Sequence, residues 1–469
     1  SNNEAILWTS KKMFWPILYT VLTTICAFLS LIFSGIKPII DFGWMMTVGL
    51  LVSMSVTFTL LPSILNILSK ENLIYRKEEK SKITSFLSKV AQKNTKTIFT
   101  SSILIIIISI VGITKLEVEN SFINYFDKET EIYKGMKLID EELGGTTPLD
   151  VIVKFPKKKK EEDDDDWEDE DKDDSKYWFT RSKIDKITKV HDYLDSLESV
   201  GKVISFASMV RVAEDLNNGK KLQGLEMGVL YTKIPDSIKK EIIDPYISIK
   251  NNEARISIRV LGSKENLRRN ELIKTINNDL ENKLGLSREE FKLAGILILF
   301  NNLLQSLFKS QILTLGVVMV GITLMFLVLF RNITLSLIGV VPNFMAAFLI
   351  LGIIGLLGIP LDMMTITIAA ITIGIAVDNS IHYIYRFKEE FKKTNNYNHT
   401  LEKCHDTVGV AILNTSITII FGFSILVLSN FIPTIYFGIF TGIAMLLAMI
   451  SVLTLLPKLI LTFKPFKNG

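Results

Sequence analysis

The stretch Gly374-Ile-Ala-Val-Asp378-Asn-Ser-Ile-His382-Tyr-Ile-Tyr-Arg386 decides the fold class of this chain. It continues an apolar run that begins at about Met363, and the whole run is long enough to cross a membrane as a helix. A charged side chain at the centre of a bilayer costs roughly 2.5–3.5 kcal/mol on insertion scales, and such residues usually face a bundle interior and carry function. We therefore expect an integral membrane protein in which Asp378 has a functional role.

The composition agrees with a membrane protein that also has an extramembrane domain. The 469 residues are 48% hydrophobic and 22% charged, and the mean hydropathy of +0.33 is high for a chain with that much charge. Long apolar runs alternate with strongly polar stretches, so the charges are segregated. The two cysteines, Cys26 and Cys404, indicate neither a disulfide framework nor a zinc site.

Eight segments are apolar and long enough to span a hydrocarbon core of roughly 30 Å. The predicted spans are residues 14–34, 41–68, 97–115, 311–330, 333–357, 363–386, 408–430 and 435–462. Lysines and arginines cluster before the first span, between the second and third, and after the fourth, sixth and eighth, so the positive-inside rule makes these sites cytoplasmic. The other connections carry almost no charge, and this topology puts residues 116–309 on the extracytoplasmic side.

The polar region 116–309 has the pattern of an α+β domain. Residues 150–155 and 253–260 alternate like strands, whereas 181–198 and 265–284 have helical periodicity, which indicates one or two βαβ-like units. Within this region, residues 157–174 are a run of lysines followed by twelve acidic residues around Trp167. We expect a disordered, self-repelling insert, and the alternative is a cation-binding or interaction arm.

An internal repeat relates the two ends of the chain. Residues 16–62 align without a gap on residues 411–457, with 18 identities in 47 positions. The matches include Thr20 with Thr415, Thr23 with Thr418, Pro38 with Pro433 and Pro62 with Pro457. Both copies cross the membrane in the same direction, as in the parallel repeats of transporters. In the first copy the counterpart of the Asp378 helix would precede Ser1, so we expect a fragment of a longer protein.

These observations predict the domain organisation of the chain. The predicted segments are 1–70, the last two membrane helices of a first repeat; 71–96, a cytoplasmic connector; 97–115, the first helix of a second repeat; 116–309, the outer domain; and 310–469, five further helices. Residues 80–96 place Ile83, Phe86, Leu87 and Val90 at helical spacing. This pattern predicts an amphipathic helix along the inner membrane surface, and the alternative is a solvated linker.

Several motifs together resemble the RND superfamily, and within it the MMPL-type and predicted-exporter branch. They occur in the family's order and cover the whole chain except the 157–174 insert. They are Gly144-Gly145 before the first outer strand, Leu329-Phe-Arg-Asn332, Pro342-Asn343, Leu357-Gly-Ile-Pro-Leu361, and Gly374-Ile-Ala-Val-Asp378 followed by His382 and Arg386.

The resemblance implies a fold and a function. The family fold is an α-helical bundle of twelve spans in two parallel six-span halves, with outer α+β porter-like domains, and this chain would supply about eight of those helices. The implied activity is proton-driven export of lipids or other hydrophobic molecules, with the membrane and a missing N-terminal half as partners. Relatives use an Asp-Tyr pair to carry protons, whereas the tyrosine position here is Asn379.

The residues around Asp378 suit a proton relay. His382 is one helical turn further on, so both side chains lie on one face, and its imidazole can pass a proton on or hold the carboxylate charge. Gly374, one turn before, lets a neighbouring helix approach. Thr415 and Thr418 in the next span are candidate partners, unless their hydroxyls only bond their own helix. The alternatives to a relay are a static Asp–His pair and a cation site.

Other functions are also open at this level. The alternatives to an exporter are a non-transporting lipid- or sterol-sensing domain of the Patched type and a secretion accessory of the SecD/SecF type. No Ser–His–Asp order, Cys-x-x-Cys spacing or P-loop occurs, so we expect no enzymatic activity, no cofactor, no metal site and no nucleic-acid partner. The polar surroundings of His191, His399 and His405 predict surface histidines. The Lys-, Ile- and Asn-rich composition suggests a bacterial inner membrane.

Overall fold

The computed structural model describes residues 2–67, 81–118, 122–156, 178–264, 267–362 and 364–466. The chain forms two compact units, of which unit 1 comprises Ser1–Asn120 and Gln305–Gly469 and unit 2 comprises Ser121–Leu304. The predicted acidic insert 157–174 and residues 71–80 of the predicted connector lie outside the described residues.

Unit 1 is helical. Its helices are α1 (Asn2–Leu29), α2 (Lys37–Ile67), α3 (Lys82–Lys93), α4 (Thr95–Ile113), most of α11 (Ile296–Phe330), α12 (Ile333–Leu356), α13 (Thr365–Thr394), α14 (Tyr397–Cys404), α15 (Val410–Ser424) and α16 (Ile432–Phe463). Within the described ranges, eight helical segments are apolar and long enough to cross a membrane, which confirms the predicted number.

Several helices extend further than the predicted spans, and α1 begins at Asn2 rather than near residue 14. Helix α11 begins at Ile296 rather than near residue 311, and α13 continues to Thr394 rather than ending near residue 386. Polar side chains such as Asn301, Lys309 and Glu390 lie in these extensions. A hydropathy window detects only the apolar part of a helix, whereas the backbone hydrogen bonds continue through the polar part.

Helix α13 is the central helix of unit 1. In its apolar window 78% of the residues are buried, compared with none in α2 and 17% in the span that contains α15. The adjoining α12 is also enclosed, and it packs against α4 through glycines. A Cβ added at Gly112 would lie 2.0 Å from the Gly352 carbonyl oxygen, so only glycine permits this approach of the two backbones.

Helix α3 packs on unit 1 with small side chains. Thr84, Ser88 and Ala91 are buried, whereas Ile83 and Phe86 are 53% and 64% exposed. The exposed apolar side chains Ile83 and Phe86 therefore point away from the bundle, while Leu87 and Val90 are half-buried. The predicted position of this helix at a membrane surface stays a prediction.

Unit 2 is an α+β domain. Its strands are β1 (Thr147–Lys154), β2 (Val200–Ile204), β3 (Ile247–Ser248), β4 (Glu253–Val260) and β5 (Phe291–Ala294), and its helices are α5 (Glu131–Glu142), α6 (Arg181–Asp195), α7 (Phe206–Leu216), α8 (Gly224–Lys233), α9 (Asp236–Ile242) and α10 (Arg269–Asn282). The sheet order is β2-β4-β1-β5, with β3 also on β4, and every pair is antiparallel.

The sheet contains two split βαβ units, in agreement with the predicted βαβ pattern. Strands β1 and β2 both run antiparallel to β4, so they are parallel to each other with β4 between them. Strands β4 and β5 are related in the same way through β1. Alternate residues of β4, from Ala254 to Val260, are buried in the core, which is the two-residue period of a half-buried strand.

A buried carboxylate fixes α5 to the loop after β4. Asp140 is 0% exposed and accepts hydrogen bonds from Thr146 N and Oγ1, Gly262 N and Ser263 N at 2.7–2.9 Å. Burial acts to raise the pKa of this carboxyl group, but the hydrogen bonds from Ser263, Thr146 and Gly262 outweigh it and hold the pKa below its ordinary value.

Two of the histidines predicted at the surface are buried, so that prediction was wrong for them. His191 is 4% exposed, and its Nδ1 lies 2.9 Å from Ser205 Oγ at the start of α7. His405 is 0% exposed. Both lie on polar stretches of helix, but each occupies the face that packs on a neighbouring element, and only the fold reveals that face. His399 is exposed as predicted.

Candidate functional site

The site helix α13 begins at a side-chain cap. Asp362 Oδ1 accepts hydrogen bonds from Met364 N at 2.8 Å and Thr365 N at 2.7 Å, while Thr365 Oγ1 accepts from Asp362 N at 2.8 Å. This reciprocal arrangement satisfies amide groups that a helix start leaves free. Asp362 is 3% exposed, and burial raises the pKa of its carboxyl group. The cap fixes where α13 starts and hence the height of Asp378 along the bundle.

Asp378 lies in the seam between α13 and α1. Thr24 Oγ1 on α1 is 3.4 Å from Asp378 Oδ1 and 3.5 Å from Oδ2, and it is also 3.3 Å from the Gly374 carbonyl oxygen. The same hydroxyl lies 2.8 Å from the Thr20 carbonyl oxygen. One hydroxyl proton can serve only one of these acceptors at a time, and the shortest contact is to the helix's own carbonyl.

Glycine permits the close approach of the two helices. A Cβ added at Gly374 would lie 2.6 Å from the Cβ of Ala27, and one added at Gly321 on α11 would lie 2.5 Å from Cys26 Sγ. Helix α1 is thus held between α13 and α11 at positions without side chains. Gly374 therefore places the Thr24 hydroxyl beside Asp378 by removing the atoms that would separate the helices.

Asp378 has no ionic partner within the described ranges. It forms no salt bridge there, and no hydrogen bond joins it to His382. His382 is half-buried one turn further along α13. The arrangement is therefore not the static Asp–His pair that the sequence left open. A carboxyl group beside a hydroxyl, without a cation, can gain or lose a proton without breaking an ion pair.

Thr415 and Thr418 are directed to their own helix. Thr415 Oγ1 donates to the carbonyl oxygens of Ala411 and Ile412 at 3.0 and 3.1 Å, and Thr418 Oγ1 donates to that of Asn414 at 2.9 Å. Of the four predicted residues, Gly374, Asp378 and His382 lie on α13, and the first two are at the contact with α1. The fourth, Thr415, lies on α15 and has no hydrogen bond to Asp378 in the described structure.

Thr24 was not among the predicted partners of Asp378. The predicted partners lie on α15, in the second copy of the repeat, whereas the hydroxyl beside Asp378 belongs to α1, in the first copy. Thr20 and Thr23 align with Thr415 and Thr418, so the repeat already contained the signal that a Thr-rich helix recurs at this point. Which copy packs on α13 depends on long-range contacts that no local pattern records.

A second polar contact joins α13 to α12. Asn343 and Ser380 are both 0% exposed, and Asn343 Nδ2 donates to Ser380 Oγ at 2.9 Å and to the Gly339 carbonyl oxygen at 3.0 Å. Asn343 Oδ1 is buried without a hydrogen-bond partner in the described part of the chain. The amide holds α12 and α13 in register two residues beyond Asp378.

A third contact fixes the cytoplasmic end predicted for α13. The Tyr383 hydroxyl is 3.2 Å from His405 Nδ1, and His405 Nε2 is 2.9 Å from the Leu453 carbonyl oxygen on α16. His405 starts a π-helical turn at residues 405–409. His405 Nδ1 also lies 3.1 Å from the Leu401 carbonyl oxygen. A neutral imidazole with its proton on Nε2 satisfies the contacts to Leu453 and Tyr383, whereas the contact to Leu401 requires a proton on Nδ1. No group of three His, Cys, Asp or Glu residues suited to a metal occurs in the described ranges.

The chain matches the family model described as the MMPL family over residues 1–99 and 128–467. The protein MJ1562 of Methanocaldococcus jannaschii is 24% identical over 382 residues, which cover 81% of this chain and 94% of that protein. The hopanoid transporter HpnN of Burkholderia multivorans is 28% identical over 110 residues, which cover 22% of this chain and 12% of that protein.

Two solved membrane proteins share the fold. The hedgehog release protein Disp from the water bear Hypsibius dujardini has a TM-score of 0.59 at 14% identity, and the match covers 97% of this chain and 59% of Disp. SecDF, a translocon-associated membrane protein from Thermus thermophilus, has a TM-score of 0.53 at 12% identity, with 98% and 50% covered. At these identities the likeness concerns the fold alone. The chain spans about half the length of both proteins.

Proposed function

The chain belongs to the MMPL family, as its motifs predicted, and from this premise we propose that it moves lipids or other hydrophobic molecules outward across a membrane at the expense of a proton gradient. The observation that carries the proposal is the Asp378 carboxyl group beside the Thr24 hydroxyl in a membrane helix seam. The similarity to a hopanoid transporter supports a lipid-like substrate.

The Thr24 hydroxyl lets the seam accept both protonation states of Asp378. When the carboxyl group is protonated, it donates to Thr24 Oγ1, whose own proton goes to the Thr20 carbonyl oxygen. When the carboxyl group is ionised, the hydroxyl turns and donates to it instead. Proton loading therefore reverses one hydrogen bond between α1 and α13 and changes how strongly the two helices attract each other.

Proton movement can supply the free energy of export. Each elementary charge that crosses a potential of 100 mV releases about 2.3 kcal/mol. His382, one turn from Asp378, is the proposed next proton carrier. Thr415 was also predicted to belong to the relay, and its role there stays a proposal. In place of the tyrosine that relatives carry beside the aspartate, this chain has Asn379, which cannot exchange protons.

The proposed organisation is part of a pseudo-symmetric transporter. Thr415 and Thr418 on α15 repeat Thr20 and Thr23 on α1, yet Thr415 and Thr418 are exposed, whereas Thr20 and Thr23 are buried. By the repeat, this face is suited to a second helix that carries a carboxylate, as α13 does for α1. We infer that the first four helices of the first repeat, in the same or another polypeptide, pack there.

The proposed topology places unit 2 on the outer side of a bacterial inner membrane and α3 at the inner surface. The positive-inside rule supports it, because the lysine-rich stretch around α3 and the end of α13 then face the cytoplasm. The apolar side chains that α3 exposes suit the interfacial region of the bilayer. We expect no enzymatic activity.

Transport of a fluorescent phospholipid by the full-length protein in proteoliposomes tests the proposal. An imposed proton gradient should drive outward movement of the lipid, and a protonophore should stop it. Lipid binding without movement would contradict export and favour the sensing alternative. Copurification with the Sec translocon would bring the secretion alternative forward.

A further inference from the structure

An apolar cavity lies in the part of unit 2 that interrupts the sheet. Strands β2 and β3 are separated by residues 205–246, which form α7, α8 and α9. These helices and Phe179 line an apolar cavity of about 150 Å³ that is open to the surface on one side. This volume is enough for a molecule such as benzene or xenon. Close-packed domains leave few apolar volumes of this size unfilled.

The wall of the cavity is adapted to an apolar occupant. It is formed by aliphatic and aromatic side chains, among them Phe206, Met209 and Met227, with the ring of Tyr231 on one side. Methionine side chains are flexible and polarizable and can adjust to ligands of different shape. Lys239, the nearby cation, stacks over the Tyr231 ring at 4.7 Å and pairs with Asp236 at 3.1 Å.

The cavity opens onto an exposed apolar surface. Leu230, Ile238 and Ile242 belong to its wall and are also 40%, 44% and 44% exposed. Val212 and Leu216 on α7 are 60% and 83% exposed. An exposed apolar patch that continues into a pocket is typical of a hydrophobic ligand site.

The cavity volume limits what can enter. Pockets that enclose a whole drug-sized ligand measure roughly 300–1,000 Å³, so this cavity takes only one end of a longer molecule. An alkyl chain fits best, since it needs no polar partner in the wall and can continue over the exposed residues at the mouth. A polar headgroup would then remain in water, which avoids the cost of burying it.

We propose that the α7–α9 cavity binds the end of one alkyl chain of a lipid, with the rest of the chain lying over Leu230, Ile238 and Ile242. This inference rests on the proposed function, because it places part of the substrate class in unit 2. By this proposal, the segment between β2 and β3 that forms α7, α8 and α9 contacts the substrate.

Photolabelling tests the site. The probe is a palmitate analogue with a diazirine at its methyl end, irradiated with the full-length protein in phosphatidylcholine nanodiscs and mapped by mass spectrometry. Labels should appear on peptides of α7, α8 and α9, and excess palmitate should remove them. Ala213→Phe fills the cavity and should reduce this labelling about tenfold. Leu138→Phe adds the same ring at an exposed position of α5, outside the cavity and its mouth, and should leave the labelling unchanged.

A second variant guards against misfolding of Ala213→Phe. Ile238→Asn changes a side chain at the mouth that is 44% exposed, so the fold should tolerate it while labelling falls. Labels confined to membrane helices, or equal labelling of wild type and both cavity variants, would overturn the site. Labelling does not require transport. Labelled helices without lipid export would thus refute the proposed function alone, and export without labelled helices would refute the cavity alone.

Discussion

Thr24 on α1 and Asp378 on α13, 354 residues apart in the chain, place a hydroxyl oxygen 3.4 Å and 3.5 Å from the two carboxylate oxygens. The contact exists because Gly374 and Ala27 let the two helices approach at the adjoining turn. No salt bridge of the described residues neutralises the carboxylate. The pair is therefore the most direct point at which protonation can change the attraction between two membrane helices.

Asp378→Asn should abolish gradient-driven lipid movement. With one proton per lipid and 100 mV, the available 2.3 kcal/mol supports an accumulation of about 50-fold, and without coupling the ratio should fall to about one. Proteoliposomes with a fluorescent phospholipid measure this ratio. Undiminished accumulation by the asparagine variant, in protein with an unchanged melting temperature, would remove Asp378 from the mechanism.

Thr24→Val should slow gradient-driven transport about tenfold, the equivalent of one hydrogen bond to a charged group. Valine has the shape of threonine but lacks the hydroxyl beside Asp378. Thr59→Val on α2 is the matched control, since that hydroxyl donates to its own helix in the described structure. Initial rates at a fixed proton gradient compare the two variants. A loss of rate with Thr415→Val but not with Thr24→Val would instead support the relay predicted from the sequence.

Gly374→Ala should weaken the packing of α1 on α13 and lower stability by about 1–3 kcal/mol, as overpacking does. The new Cβ would lie 2.6 Å from the Cβ of Ala27. Gly422→Ala is the control, because a Cβ there meets nothing within 4 Å and alanine favours a helix. Thermal unfolding in detergent compares the two. Equal melting temperatures for Gly374→Ala and the control would show that the contact between α1 and α13 accommodates the added methyl group without loss of stability.

Asp140→Asn should destabilise unit 2 by about 2 kcal/mol at neutral pH, because a charge-assisted hydrogen bond is lost. The hydrogen bonds hold the folded pKa of Asp140 below the unfolded value, so the unfolded state binds more protons in acid. This stabilisation is complete above about pH 4 and disappears as the pH falls through the folded pKa.

In a background that keeps Trp178 and replaces the other four tryptophans with phenylalanine, the fluorescence of this buried side chain reports the unfolding at pH 7 and at pH 3. The difference between wild type and Asp140→Asn should be smaller at pH 3 than at pH 7, because the stabilisation is lost progressively below the unfolded pKa. Glu141→Gln, which changes an exposed neighbour, should match wild type at both. A difference that persists unchanged at pH 3 would show that the carboxylate charge is not what stabilises the loop.

A cysteine at Asn217 should react with a membrane-impermeant maleimide in intact cells, because this exposed residue lies in the domain proposed to face outward. A cysteine at the exposed Lys388 near the end of α13 should react only after permeabilisation. Mass spectrometry of the protein counts the labels, with Cys26 and Cys404 of the parent protein as background. The opposite pattern would invert the proposed topology.

The local patterns predicted the elements of this protein well. Apolar runs define membrane helices because about 20 apolar residues are needed to cross the hydrocarbon core, and because a helix satisfies its own backbone hydrogen bonds there. Both requirements are local in the sequence. The alternation of β4 and the periodicity of α6 and α10 are local for the same reason. The extensions of α11 and α13 were not predicted, since polar residues continue a helix without a hydropathy signal.

The sequence by itself determined that this is a membrane protein of the MMPL type with a carboxylate at its centre, because a buried charge in an apolar helix is costly wherever it packs. Only the tertiary structure decided that Thr24 rather than Thr415 lies beside Asp378, and that His191 and His405 are buried. The repeat contains two similar helices, α1 and α15, and which of them packs on α13 depends on close approaches at glycines between helices that are distant in the chain. Such approaches produce no periodic pattern in the sequence.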